Sequence, residues 1–195
     1  MDVLTEQDIR VRIHTHPLER IVLPENLRWR RAAVLIPMIR QEDGWHLLFI
    51  RRTEQVAEHK GQVAFPGGAV DPEDETPEDT ALREAYEEVG LQPAHVRVLG
   101  RLSDYYTITN YLITPVVGVI PWPYPLQLSR DEVSRAFTIP LTWLADPSNW
   151  EQRLYTRANG SQEWVIFYQL YNGEYLWGVT GRITVNFLKI LNLSA

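Results

Sequence analysis

The chain is built from blocks of apolar residues separated by polar punctuation, and the period of the blocks changes along its length. "RRAAVLIPMI" (30–39) is apolar at successive positions and predicts a buried strand. "QEDG" (41–44) interrupts it as a turn, and "WHLLFIRR" (45–52) predicts the second strand of a hairpin. Upstream, residues 2–14 predict a short helix, followed by an extended "HPLERIVLPENL". Residues 53–64 read as a polar loop running into a short strand, and "FPGG" (65–68) stops regular structure there. "HVRVLGRLS" (95–103) and "YLITPVVGVI" (111–120) predict further strands, with "DEVSRAF" (131–137) a short helix or turn. "SQEWVIFYQLY" and "EYLWGV" flank Asn172-Gly173, the signature of a hairpin with a type I′ turn. "TGRITVNFLKILNL" closes the chain as an amphipathic helix. Strands and helices mixed in this order predict an α+β fold, a mostly antiparallel or mixed sheet with helices packed on it.

The best-punctuated helix lies between these blocks. Thr76 is a favoured N-cap, Pro77 a favoured first helical residue, and Gly90 a favoured terminator after Val89. At about 100° per residue, Glu84, Glu87 and Glu88 fall at about 0°, 300° and 40°. Ala81, Leu82, Ala85 and Val89 fall at roughly 60° to 160° and are expected to form the buried face. Glu84 and Glu88 are then a like-charged i,i+4 pair, costing about 0.2–0.5 kcal/mol. A divalent cation would reverse that sign, since hard cations take carboxylate oxygens. The alternative is a solvated acidic face partly relieved by Arg83.

Composition narrows the classes. A length of 195 residues suits one domain, with residues up to about 28 as a short N-terminal extension. A net charge of -6 with no basic stripe argues against a nucleic-acid binder. The absence of cysteine excludes disulfides and thiolate chemistry. The acidic "MDVLTEQDIR" start is no signal peptide, and the most apolar stretch is broken by prolines, so neither export nor a membrane span is expected and the location is read as cytoplasmic.

"GGAVDPEDETPEDTALREAYEEVGL" resembles the signature box of the Nudix hydrolases. That box runs Gly, five residues, Glu, seven residues, then Arg-Glu-apolar-x-Glu-Glu-x-Gly-apolar. Arg83, Glu84, Ala85, Glu87, Glu88, Gly90 and Leu91 match its second half, and Glu75 stands seven residues ahead of Arg83. Gly68 is one residue too far upstream, so the loop carries an insertion and Asp74 competes with Glu75 for the acidic position. Around the box, "LLFIRRT", "HKGQVAFPGGAVDPED", "ITPVVGVIP", "DEVSRAFTIPL" and "LWGVTGRI" resemble the coenzyme A diphosphatase branch of that family, over residues 47–183. Two positions depart from the branch: Ile50 stands where it has Thr, and Ala57 where it has an arginine four residues before Gly61.

The resemblance implies a mixed sheet packed between helices, an α/β/α sandwich. It implies a hydrolase of the coenzyme A diphosphate bond using Mg²⁺ or Mn²⁺, with a coenzyme A-like nucleotide as partner and a homodimer as an optional assembly. Glu84, Glu87 and Glu88 are the implied metal ligands, Glu84 and Glu87 the implied catalytic carboxylates, and Arg83 an orienting group. Arg52, His59, Lys60, Gly67 and Gly68 are the implied substrate contacts, with His59, Lys60 or Arg51 covering for the missing arginine at Ala57. Further candidates are Glu132 as general base, Trp177 and Tyr171 as adenine platforms, and Arg28, Arg30 and Arg31 as phosphate grips. The rival readings are a Nudix pyrophosphatase for ADP-ribose or NADH, and a nucleotide-binding module without turnover.

Overall fold

The computed structural model describes residues 4–19, 28–54, 61–107, 109–156, 160 and 162–193. The elements in chain order are α1 (Glu6–Thr15), β1 (Arg30–Gln41), β2 (Gly44–Arg52), β3 (Val63–Ala64), β4 (Gly67–Ala69), α2 (Pro77–Val89), β5 (Arg97–Arg101), β6 (Tyr105–Tyr106), β7 (Tyr111–Val119), β8 (Val133–Pro140), α3 (Leu141–Ala145), β9 (Trp150–Thr156), β10 (Gln162–Tyr171), β11 (Glu174–Trp177) and α4 (Gly178–Ile190).

β1 and β7 run parallel at the centre of the main sheet, with Arg30 opposite Tyr111 and Met38 opposite Val119. The other described pairings in that sheet are antiparallel. The β1–β2 hairpin closes at Gln41 opposite Gly44, as the "QEDG" turn requires. The two strands then part company. The start of β1 pairs with β4, placing Gly67 opposite Val34, while β2 pairs with β8 and, near its end, with β3. That parting puts the loop before α2 and the end of β2 side by side.

Both faces of this sheet are covered, which is why β1 and β2 read as nearly continuous apolar runs. One face carries Ala33, Leu35, Ile39, Leu48, Ile50 and Val116, packed under Ala81, Ala85 and Val89 of α2. The other carries Ile36, Met38, Leu47, Phe49 and Val117, packed against α3 and against Ile183, Phe187 and Leu188 of α4. Ile9 and Ile13 of α1 join this second cluster, so part of the expected N-terminal extension is buried. The fold is α+β, a mixed sheet between helices, as the resemblance implied. Among the described residues, no helix is long and apolar enough to cross a membrane.

The Asn172-Gly173 turn has positive φ at both residues (50° and 82°), the requirement of a type I′ hairpin. That hairpin gains β9 as a third strand, making a separate small sheet. "DEVSRAF", expected as a helix or turn, is a turn only at Asp131-Glu132 and runs on as β8 from Val133. It pairs with β2 from His46 opposite Pro140 to Arg52 opposite Val133. The open edge of β2 supplies the backbone partners, and tertiary pairing decides for strand from Val133 onward. Residues 20–27 of the expected extended stretch lie outside the described residues.

Candidate active site

Local chemistry fixes both ends of α2. The Thr76 hydroxyl accepts from the Asp79 N–H at 3.2 Å, and the Asp79 carboxylate accepts from the Thr76 N–H at 2.8 Å. At the other end Gly90 adopts φ 70°, and its N–H donates to the Tyr86 carbonyl at 2.9 Å.

The rotation of α2 about its axis differs from expectation. Thr80, Ala81, Ala85, Glu88 and Val89 are the buried residues, whereas Leu82 is half-exposed and joins neither core cluster. Glu88 is 1% exposed, so it is no member of a solvated acidic face. The glutamates divide. Glu88 points into the protein, Glu84 is mostly covered, and Glu87 faces outward with 53% of its side chain exposed. Small Ala81 and Ala85 let the helix sit close to the sheet, and the turn toward Glu88 is held by polar partners on neighbouring elements.

Those partners are specific. Glu88 Oε1 accepts from Arg52 Nη1 at 3.0 Å, and its Oε2 accepts from the Gly67 N–H at 3.0 Å. Burial pushes the Glu88 carboxyl up to about 8, against the lowering effect of Arg52 and of the Gly67 N–H, while Glu84 and Glu132 push it further up. Glu84 is also raised, first by burial, with Arg83 opposing and Glu87 and Glu132 adding. Glu132 is exposed but its charge therefore bears on both buried acids.

Arg83 is the hub. It donates through Nη1 to Glu84 at 3.0 Å and Glu87 at 3.3 Å, through Nη2 to the Ala69 carbonyl at 2.9 Å, and through Nε and Nη2 to Asp74 at 3.2 and 3.0 Å. The acid gripped by Arg83 is thus Asp74, with Glu75 exposed; the inserted loop residue moves the pairing one position upstream. Asp74 also accepts from the Thr80 hydroxyl at 2.9 Å. Its carboxyl is held at about 2, below the ordinary 3.8, mainly by the hydrogen bond from Arg83.

The sign of that shift predicts acid sensitivity. A carboxyl whose folded value lies below its unfolded one contributes stability above the unfolded value, and loses it as pH falls through the folded one. The pair should therefore weaken between about pH 4 and about pH 2. Melting temperatures of Asp74→Asn should fall less steeply than wild type across that window. Parallel wild-type and Asp74→Asn curves would remove Asp74 from this role.

The glycines of "FPGG" have different jobs. A Cβ on Gly67 would lie 2.4 Å from the Ala33 carbonyl oxygen and 2.6 Å from the Val34 Cα. One on Gly68 would lie 2.4–2.6 Å from all three atoms of the Glu84 carboxylate. Gly67 thus allows backbone contact with β1, and Gly68 keeps the space over Glu84 open.

Other sequence candidates fall in three groups. Arg52 sits in the site, engaged with Glu88. His59, Lys60 and Ala57 lie outside the described residues. Tyr171 packs edge-on against Trp143 at 4.9 Å in the main core, and Trp177 stacks on Phe167 at 5.7 Å on the small sheet. Arg28, Arg30 and Arg31 are exposed at the start of β1, where the Arg30 guanidinium lies over Tyr111.

Among the described residues, no three carboxylate or imidazole groups close into a preformed cation cage. Arg52 and Arg83 occupy the glutamate oxygens instead. The donor set still fits a hard divalent cation: the groups are carboxylates, two are sequestered from water, and the gap a Gly68 side chain would fill leaves Glu84 open.

The mixed sheet, the Gly-Gly loop and the arginine-held glutamates define a phosphoanhydride hydrolase, and comparison with known proteins agrees. The NUDIX domain model matches residues 29–159. The uncharacterized Nudix hydrolase NudL of Escherichia coli K12 is 41% identical over 160 residues, covering 82% of this chain and 81% of NudL. Among solved structures, a MutT/nudix family protein from Enterococcus faecalis superposes with TM-score 0.53 at 14% identity, over 95% of this chain and 69% of that one. A Nudix hydrolase from M. smegmatis does so with TM-score 0.51 at 24% identity, over 60% and 74%. The chain belongs to the Nudix hydrolase family. Members of that family act as pyrophosphatases on nucleoside diphosphate derivatives and generally use divalent cations such as Mg²⁺ or Mn²⁺.

Proposed function

We propose that this enzyme cleaves the diphosphate bond of coenzyme A or a derivative, giving 4′-phosphopantetheine and adenosine 3′,5′-bisphosphate. One observation carries the reading most. The end of β2, within the stretch "LLFIRRT" that resembles the coenzyme A branch, delivers Arg52 directly onto the buried Glu88 beside Gly67. The branch-like segment and the hydrolytic carboxylates are therefore one site.

Glu84, Glu87 and Glu88 would hold Mg²⁺ or Mn²⁺, and Glu132, whose charge raises both Glu84 and Glu88, is the proposed base. The bound cation would neutralise the anhydride oxygens and make a water nucleophilic. Arg83 orients Glu84 and Glu87 and has no spare role at substrate, since its guanidinium already serves Asp74, both glutamates and the Ala69 carbonyl. Gly68 leaves room for phosphate over Glu84. His59 and Lys60, in the "HKGQ" segment, remain proposed substrate contacts.

Ala57, in place of the branch arginine, favours the second reading of ADP-ribose or NADH as substrate. A panel of coenzyme A, dephospho-coenzyme A, ADP-ribose and NADH, scored by kcat/KM with each cation, separates the two. Coenzyme A should be the best of the four. A charge-assisted phosphate contact is worth about 1.5–3 kcal/mol, so the preference over dephospho-coenzyme A should exceed about tenfold. ADP-ribose outperforming both would move the enzyme to the second reading.

A further inference from the structure

Beside the catalytic centre runs a groove of about 460 Å³ lined by Arg51, Arg52, Thr53, Glu54, Arg130, Ser134, Arg135 and Glu174. Four arginines face two acids there, in a chain whose net charge is -6. Arg52 is committed to Glu88. Arg51 and Arg135 share the single buried acid Glu174, and Arg130 is exposed.

The arrangement is costly unless it has a use. Arg51 and Arg135 are directly opposite each other in the β2–β8 ladder, and like charges at such positions repel. A single acid, Glu174, sits between them. It is 4% exposed, 3.0 Å from Arg135 Nη1 and 3.6 Å from Arg51 Nη1. Two guanidinium groups thus share one buried carboxylate. Both guanidinium groups stay open on their groove side, with 43% and 54% of their side chains exposed. Arg135 is further fixed by lying over the Phe137 ring at 5.7 Å.

The opposite wall is latched in place. Thr53 donates its N–H to the Glu132 carbonyl and its hydroxyl to the Asp131 carbonyl, each at 2.8 Å, and the Ser134 hydroxyl donates to the Arg51 carbonyl at 3.0 Å. These bonds tie the segment carrying Arg130 to the end of β2. A planar guanidinium fork presents several donors; Glu174 accepts one from Arg135 and only an ion-pair contact from Arg51, and the donors that remain suit the oxygens of a phosphate.

We propose that Arg51, Arg130 and Arg135, positioned by buried Glu174, bind a phosphate monoester carried by the substrate away from the scissile anhydride. This rests on the nucleotide-diphosphate reading above and names the group that selects among such substrates. In coenzyme A that group is the 3′-phosphate, so the groove would take over the work of the arginine missing at Ala57.

The test is calorimetric binding of adenosine 3′,5′-bisphosphate and AMP to the full chain, with no turnover needed. The wild type should bind the bisphosphate at least about tenfold more tightly than AMP. In Arg130→Gln and Arg135→Gln that ratio should fall toward one while AMP affinity stays level. Arg130 is exposed, so its substitution should leave the melting temperature unchanged and report on binding alone. Glu174→Gln should lower the ratio as a positioning change, with Arg135→Lys, which keeps the charge and loses the fork, falling between. Equal wild-type affinities, or a preference that survives both arginine substitutions, would overturn the proposal. Inorganic phosphate should compete with the bisphosphate and not with AMP; phosphate that instead speeds turnover of dephospho-coenzyme A without competing would make the groove an effector site and overturn the substrate assignment. A bisphosphate preference lost in the variants, in an enzyme that leaves coenzyme A intact, would sink the coenzyme A reading and keep the groove. Coenzyme A hydrolysis with a preference indifferent to these arginines would do the reverse.

Discussion

Glu88→Gln is expected to lower kcat by roughly 10²-fold or more with saturating cation, while the protein stays folded. The substitution keeps the shape of the side chain and an oxygen that can accept from the Gly67 N–H. It removes the negative charge that would face both Arg52 and a cation. Burial already opposes that charge, holding the carboxyl up to about 8, so its loss relieves a desolvation cost at the same time as it leaves Arg52 without its partner. Arg52 keeps 21% of its side chain exposed and can turn to water, which limits the second effect. The melting temperature without added cation should therefore stay level or rise. Adding Mg²⁺ or Mn²⁺ should raise the wild-type melting temperature by mass action and leave the variant's nearly unmoved. That second readout needs no substrate. Near wild-type turnover together with an undiminished cation-induced shift would remove Glu88 from the proposed ligand set.

The sequence shows the two ends of α2 plainly and its rotation poorly. Thr76, Pro77 and Gly90 act through backbone groups within one turn of themselves, so their types suffice to place the helix. Whether Leu82 or Glu88 faces the protein depends on groups far along the chain: the guanidinium of Arg52, 36 residues back, and the N–H of Gly67. An apolar wheel weighs Leu82 as core and Glu88 as surface because it cannot see those partners. The same reason hides β8, whose strand pairing comes from the edge of β2, and Glu174, a buried acid met by two arginines from adjacent strands. Asp74 was half legible. The inserted residue between Gly68 and Glu75 already raised it as a substitute, but only the three-dimensional path of the loop decides which acid meets Arg83. The hairpin at Asn172-Gly173 was fully legible, because its positive φ values are a property of the turn residues themselves.

Adjacent alanine substitutions at the two glycines should fail in different ways. Gly67→Ala places a methyl group 2.4 Å from the Ala33 carbonyl oxygen and 2.6 Å from the Val34 Cα, both backbone atoms of the central strand. Neither can turn aside, so β4 must move off β1. Forced overpacking of this kind costs about 1–3 kcal/mol, or a drop of several degrees in melting temperature for a chain of this length. The shift would also pull the Gly67 N–H from Glu88, taking activity down with stability. Gly68→Ala meets only the carboxylate of Glu84, the far end of a flexible side chain. Glu84 can swing away at little cost, but it then leaves the position from which it would hold a cation and face substrate. The expected pattern is a lower melting temperature and lost turnover for Gly67→Ala, and lost turnover with melting within about 2 °C of wild type for Gly68→Ala. Full activity in Gly68→Ala would show that the reaction uses Glu84 in a different position, or not at all.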